Sequence, residues 1–290
     1  MPRTGGELAA NQLQTNGKPG RGLMNEIRAN RMTIPKFVAQ KAKGNRLAVL
    51  TCYDYPVARI FDAAGVDALL VGDTVGTVVQ GHPTTLGVTM EQAIYHTELV
   101  SRAVERALVV ADMPFLSYQV DIPDSIRNAG RLVKEGGAHA VKLEGGRRCE
   151  ATIHAIVEAQ IPVMGHIGLT PQSIHKIGRY RVQREERDLL LDAEAVERAG
   201  AFAIVLESMP TKLAAAVTKA VSIPTIGIGA GPGCDGQVLV WQDAFGLTND
   251  FKAKFVKHYA DLHSIFSEGA RRYCDEVRAG TFPDAEHSYE

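Results

Sequence analysis

At 290 residues, 45% hydrophobic and 22% charged, the chain has the length and composition of a soluble globular protein with a sizeable core. A formal net charge of −1 gives no electrostatic reason to expect nucleic acid or an anionic membrane as partner, so small molecules are the expected ligands. Cys52, Cys149, Cys234 and Cys274 lie far apart, without the paired spacing of a zinc knuckle or redox pair. No apolar run approaches the roughly 20 residues of a membrane span, the N-terminus lacks the apolar stretch of a signal peptide, and a cytoplasmic protein with reduced thiols is expected.

Residues 1–30 are polar and glycine-containing and read as a flexible tail, with one catalytic domain expected over 31–290. From Arg46 onward short apolar runs alternate with helical patterns, the signature of repeated βα units on a parallel sheet. The expected strands are Leu47–Cys52, Ala68–Gly72, Leu108–Ala111, Ala140–Leu143, Pro162–Gly165, Ala203–Leu206, Pro224–Ile228 and Gln237–Trp241. About eight strands are what closes a (β/α)8 barrel, so the expected class is an α/β barrel, with a doubly wound open sheet as the competing arrangement. Between strands, Thr89 and Gln92 form a capping box for a helix over Met90–Arg106, whose positions Ala93, Ile94, Thr97, Val100 and Val104 recur at helical spacing. A further helix over Asp192–Ala199 stops at Gly200, and Pro210 suits the first turn of the next. Beyond the last strand, Phe251 to about Val277 reads as a C-terminal helical extension of one or two amphipathic helices, packed on a neighbouring subunit or on its own barrel.

In a closed barrel, reactive residues sit where the strands end. Asp54, Asp73, Asp112, Lys142 with Glu144, His166 and Glu207 stand there in turn. A single aspartate at a strand end often only caps the following helix. Several carboxylates converging on one mouth repel one another unless protons or a cation intervene, and carboxylates with one histidine and no cysteine suit a hard ion such as Mg2+. Such an ion would polarise a carbonyl and stabilise an enolate, with Glu207 as general base. Lys142 and Glu144, two apart on a strand, share one face, either as a silent ion pair or with separate duties. The glycines of "GIGAGPG" (Gly227–Gly233) read as a phosphate cradle or as close packing at the rim. The charge run Arg179–Asp188 reads as a solvated loop or lid.

The blocks "TCYDYPVARIFDAAGVDALLVGDTVGTVVQGHPTTLGVT", "VVADMPF", "VKLEGG", "GHIGLTPQS", "LESMP" and "TIGIGAGPGCDGQVLVWQDAFG" stand in the order and spacing of ketopantoate hydroxymethyltransferases, which the chain resembles from about Ile34 to about Tyr273. The resemblance implies a Mg2+-dependent (β/α)8 barrel enzyme of pantothenate biosynthesis, usually a homodecamer. It would transfer a one-carbon unit from the co-substrate 5,10-methylenetetrahydrofolate to 3-methyl-2-oxobutanoate, giving 2-dehydropantoate. By motif, Asp73, Asp112 and Glu144 resemble the metal ligands, Glu144 directly or through water. Asp73, Thr74, Asp112, Lys142 and His166 resemble the substrate-binding set, and Glu207 the catalytic base. Thr74 stands where the family usually has serine, which keeps the hydroxyl and adds a methyl, and Arg184 stands where a glycine and a longer loop are common. Three alternatives remain open at this point: a Schiff-base aldolase using Lys142, a metal-dependent lyase or mutase of the phosphoenolpyruvate mutase/isocitrate lyase superfamily, and a barrel that only binds a small ligand.

Overall fold

The computed structural model describes residues 31–178, 182–248 and 253–289. The expected tail over residues 1–30 lies outside them, as do Arg179–Arg181 of the charge run and Phe251 at the start of the expected extension. Eight strands, β1 (Leu47–Thr51), β2 (Ala68–Val71), β3 (Leu108–Asp112), β4 (Ala140–Lys142), β5 (Val163–Gly168), β6 (Ala203–Glu207), β7 (Thr225–Ile228) and β8 (Gly236–Leu239), pair in parallel in chain order. The sheet closes through β8 pairing with β1, Leu47 opposite Gly236 and Leu50 opposite Leu239, so the barrel expected from the strand count is the one formed. The open doubly wound sheet is excluded by that closure.

Closure sorts the side chains by parity, because successive residues of a strand point to opposite faces. Leu47, Val49, Ala68, Leu70, Leu108, Val110, Ala140, Met164, Ala203, Val205, Ile226 and Val238 pack together as one buried cluster, the barrel interior. A second, larger cluster of the opposite parity, including Val141, Leu143, Val163, Ile204 and Leu206, meets the surrounding helices. At the N-terminal end of the barrel, α1 (Ile34–Ala42) inserts the fully buried Phe37, edge-on to Phe202 with ring centroids 5.8 Å apart. One such buried ring contributes about 2–3 kcal/mol from area alone.

The helices start where local chemistry provides for their free N–H groups. Asp54 accepts from Val57 N–H as the cap of α2 (Tyr55–Ala64), so it is a helix cap and stands apart from the strand-end cluster. After the short α3 (Val75–Val78), Thr89 and Gln92 form both bonds of the expected capping box on α4 (Met90–Ala103). That helix stops three residues short of Arg106. The carboxylate of Asp62 takes the backbone N–H groups of Glu105, Arg106 and Ala107, which pulls the chain out of the helix before β3. Next come α5 (Ile122–Lys134), α6 (Glu150–Glu158) and the single turn α7 (Ile174–Ile177). Then α8 (Glu186–Arg198) begins six residues earlier than the periodicity suggests, with Asp188 and Asp192 paired to Arg147.

After α9 (Thr211–Ala220) the GIGAGPG stretch packs tightly at the rim: a Cβ on Gly231, at φ +78°, would meet Thr211 Oγ1 at 2.4 Å. Close packing is therefore the reading that fits these glycines. Strand β8 ends at Leu239, and Trp241, expected in the strand, opens the short α10 (Trp241–Ala244). In the expected extension residues 253–261 are not helical, and one helix, α11 (Leu262–Ala279), follows with no buried residue. Among the described residues no helix is long and apolar enough to cross a membrane.

Candidate active site

The inward parity of the barrel interior runs on past the apolar layers to the C-terminal ends of the strands. Val110 is followed two residues later by Asp112, Ala140 by Lys142 and then Glu144, Met164 by His166, and Val205 by Glu207. The apolar interior columns of β3, β4, β5 and β6 thus terminate in charged or polar groups. On β2 the inward position is Gly72, and a Cβ there would lie 3.0 Å from Thr74 Oγ1, 3.4 Å from Asp112 Oδ2 and 3.7 Å from Tyr53 Oη. The chain turns outward from it, so that Asp73 comes back to the same mouth: its backbone N–H donates to Asp112 Oδ2 at 3.0 Å.

Of the residues expected at the site, Asp73, Asp112, Lys142, Glu144 and His166 are all buried. Lys142 Nζ donates to Asp112 Oδ1 at 2.6 Å. Glu207 is more accessible than these, its side chain 17% exposed, with Oε2 3.2 Å from His166 Nε2. On the other side His166 Nδ1 lies 3.6 Å from Glu144 Oε1, and neither ring nitrogen makes a hydrogen bond. Thr74 is half-buried at the start of α3.

Three buried carboxylates share this space with one buried ammonium, and the imbalance appears as proton affinity. Burial, and then the neighbouring Asp112 charge, push the Asp73 carboxyl up to about 7. Burial and the Asp73 charge hold Glu144 well above the ordinary carboxylate range. Burial works against the Lys142 ammonium, but Asp112, Glu144 and Asp73 more than offset it, so its affinity for the proton is raised. His166 is shifted down by burial and by the Lys142 charge, which keeps its imidazole neutral.

A cation would relieve the carboxylate excess, and the donor set is oxygen-rich. Among the described residues no three His, Cys, Asp or Glu side chains close on one point as a complete metal cage. Carboxylate oxygens of this kind suit a hard ion such as Mg2+, which uses one or two protein carboxylates and takes its remaining ligands from water and substrate. Asp73 and Asp112, linked through the Asp73 backbone N–H, are the adjacent pair able to hold it, and Glu144 is joined to Asp73 through Gln172.

The model of the ketopantoate hydroxymethyltransferase family matches residues 31–285 of this chain. This chain belongs to that family. Curated relatives agree. A 3-methyl-2-oxobutanoate hydroxymethyltransferase of Geobacter metallireducens is 56% identical over 261 residues, covering 89% of this chain and 98% of the relative. That of Pelobacter propionicus is 53% identical over 269 residues, covering 92% of this chain and all of the relative. Among solved structures, 2,3-dimethylmalate lyase, a member of the phosphoenolpyruvate mutase/isocitrate lyase superfamily, superimposes with a TM-score of 0.58 at 17% identity, covering 88% of this chain and 91% of that one. A phosphonopyruvate hydrolase in complex with oxalate and Mg2+ gives 0.58 at 14% identity, covering 88% and 93%. At such identities the likeness is one of fold.

In this hydroxymethyltransferase two further residues reach the cluster that strand parity does not reveal. Gln172, 6% exposed in the turn after β5, donates from its side-chain amide to Asp73 Oδ2 at 2.9 Å and from its backbone to Glu144 Oε2 at 3.0 Å. Tyr118, 3% exposed in the loop after β3, accepts Glu144 N–H at 3.1 Å and donates to Gln172 Oε1 at 2.7 Å. Burial and the Glu144 charge raise the Tyr118 phenol well above its ordinary range, so it stays a donor. Neither lies on a strand, and the only sequence signal for either is that Gln172 falls inside the block "GHIGLTPQS".

Proposed function

We propose that the cluster at the barrel mouth transfers a hydroxymethyl unit from 5,10-methylenetetrahydrofolate to 3-methyl-2-oxobutanoate, forming 2-dehydropantoate and tetrahydrofolate with water as the source of the hydroxyl. The activity, 3-methyl-2-oxobutanoate hydroxymethyltransferase in pantothenate biosynthesis, follows from family membership. The course of the reaction rests on the chemistry of the side chains. Asp73 and Asp112 would hold Mg2+, with Glu144 beside it. Bound there, the ion supplies Lewis-acid polarisation of the 2-oxo group and stabilises negative charge building on it.

The Lys142 ammonium and the Thr74 hydroxyl bind the anionic 2-oxo acid and fix its orientation. Glu207, the accessible carboxylate, removes the C3 proton, leaving the electron pair on the carbon that attacks the folate methylene. The two methylene–nitrogen bonds break, one replaced by the new C–C bond and the other by a bond to the oxygen of water, and the two nitrogens of tetrahydrofolate take up the protons. Neutral His166, packed between Glu207 and Glu144, lines the pocket. The single observation that carries this reading is the arrangement of the buried carboxylates Asp73, Asp112 and Glu144 around the buried Lys142 ammonium, with the partly accessible Glu207 beside them.

A Schiff-base aldolase needs Lys142 as a free amine, whereas this lysine is ion-paired at 2.6 Å with its proton affinity raised. A cytoplasmic homo-oligomer, a decamer by family, is the assembly we place the chain in; the exposed Ile265, Phe266 and Tyr273 of α11 support packing between copies. The test is production of 2-dehydropantoate from 3-methyl-2-oxobutanoate and 5,10-methylenetetrahydrofolate. Product that depends on Mg2+ is expected, and equal turnover after exhaustive chelation contradicts the metal reading.

A further inference from the structure

Both side-chain polar atoms of Gln172 and its backbone N–H are engaged. Its Nε2 donates to Asp73 Oδ2 at 2.9 Å and to the Met113 carbonyl at 3.0 Å. Its Oε1 accepts from Tyr118 Oη at 2.7 Å and from Gln119 Nε2 at 3.0 Å, and its backbone N–H donates to Glu144 Oε2 at 3.0 Å. The direction of the amide is therefore fixed by chemistry. A backbone carbonyl accepts and cannot donate, so only the NH2 end can face Met113, and Asp73 Oδ2 lies on that same side. Tyr118 enforces the same answer: its oxygen takes the Glu144 N–H at 3.1 Å, and its single proton goes to Gln172 Oε1, which is closer than the Glu144 carbonyl at 3.2 Å.

One residue thus grips carboxylates that belong to two different strand ends, Asp73 after β2 and Glu144 after β4. A carboxylate in a buried cluster of like charge tends to swing away from its neighbours or take up a proton, and a directed N–H donor removes the first freedom while favouring the charged form. We infer that Gln172 is a positioning residue that presets Asp73 and Glu144 for a divalent cation, with the Tyr118 hydroxyl setting the direction of its amide. This rests on the Mg2+ reading above. Gln172 itself touches no reacting atom in that reading and acts through the carboxylates it holds.

The test titrates Mn2+, followed by its paramagnetic resonance signal, into the full-length wild type and into Asp73→Asn, Gln172→Met and Tyr118→Phe. Wild type is expected to bind and Asp73→Asn to lose binding; absence of binding by the wild type overturns the metal reading, and this inference with it. With wild-type binding in hand, Gln172→Met is expected to weaken Mn2+ by about 10- to 100-fold, as loss of an outer-shell partner does. Tyr118→Phe, which removes one of the contacts that hold the amide and leaves those to Met113 and Gln119, is expected to cost about fivefold, the worth of one hydrogen bond. In turnover, the Mg2+ needed for half-maximal activation by Gln172→Met rises while kcat recovers at saturating Mg2+, a split that a merely structural role does not produce. Mn2+ affinity within about twofold of wild type in Gln172→Met overturns the inference. Should that variant fail to fold, the Tyr118→Phe titration decides, and wild-type affinity there overturns it.

Discussion

Replacing Lys142 by methionine tests the charge balance of the site, because the two properties it governs should move in opposite directions. Lys142 Nζ and Asp112 Oδ1 are 2.6 Å apart with both side chains 5% exposed, so methionine fills the volume and leaves three buried carboxylates without a cation. Removing one partner of a buried pair costs about 3–5 kcal/mol, so the metal-free variant should melt roughly 6–10 °C below wild type, at roughly 2 °C per kcal/mol for a chain of this size. The affinity for a divalent cation should rise instead. An ammonium a few ångströms from that cation repels it by enough, even at the dielectric constant of water, to account for about a tenfold gain once it is gone. The 2-oxo acid should bind about 10- to 100-fold more weakly, having lost a charged hydrogen-bond donor. Thermal melts with chelator and with Mg2+ present, together with a Mn2+ titration, measure all three. A variant that is as stable as wild type without metal, or that binds Mn2+ more weakly, refutes the argument that Lys142 balances a carboxylate cluster built for a cation.

Borohydride reduction in the presence of 3-methyl-2-oxobutanoate should leave no covalent adduct on Lys142, read by peptide mass; an adduct would restore the aldolase mechanism. His139 takes the Val109 N–H on Nδ1 and packs against the Arg31 guanidinium, and burial first, then that charge, pushes it down from 6.5 to about 4. The unfolded chain then binds the proton first, so the contribution of neutral His139 is complete above pH 6.5 and is lost as pH falls toward 4. The loss is at most about 3 kcal/mol, and His139→Asn should flatten that part of a denaturant-measured stability profile; parallel profiles contradict it. Phe37→Ala, at the opposite end of the barrel, should cost about 3–5 kcal/mol in denaturant melts and leave kcat unchanged at a temperature where the variant is folded.

Much of the site was legible because a parallel barrel converts strand parity into direction. Lys142 and Glu144 could be placed on one face from their spacing alone, and Asp112, His166 and Glu207 followed from the same rule once the strands were recognised. Asp54 looked the same in sequence but caps α2, since a strand-end aspartate has two uses and only the chain's turn after it decides between them. Gln172 and Tyr118 were not legible, because their partners come from other loops and no periodicity orients a loop side chain. The early end of α4 was hidden for a similar reason: Asp62, far back in the chain, captures the N–H groups that would have extended it.

The central claim is that Glu207 takes the C3 proton of a 2-oxo acid held by the buried charges beneath it, and exchange of that proton with solvent deuterium reports it directly. Followed by proton NMR in 2H2O with Mg2+ and 3-methyl-2-oxobutanoate, wild type should exchange the C3 proton. Glu207→Gln should slow exchange by at least about 100-fold while still binding the 2-oxo acid. Exchange at the wild-type rate in Glu207→Gln would contradict the account.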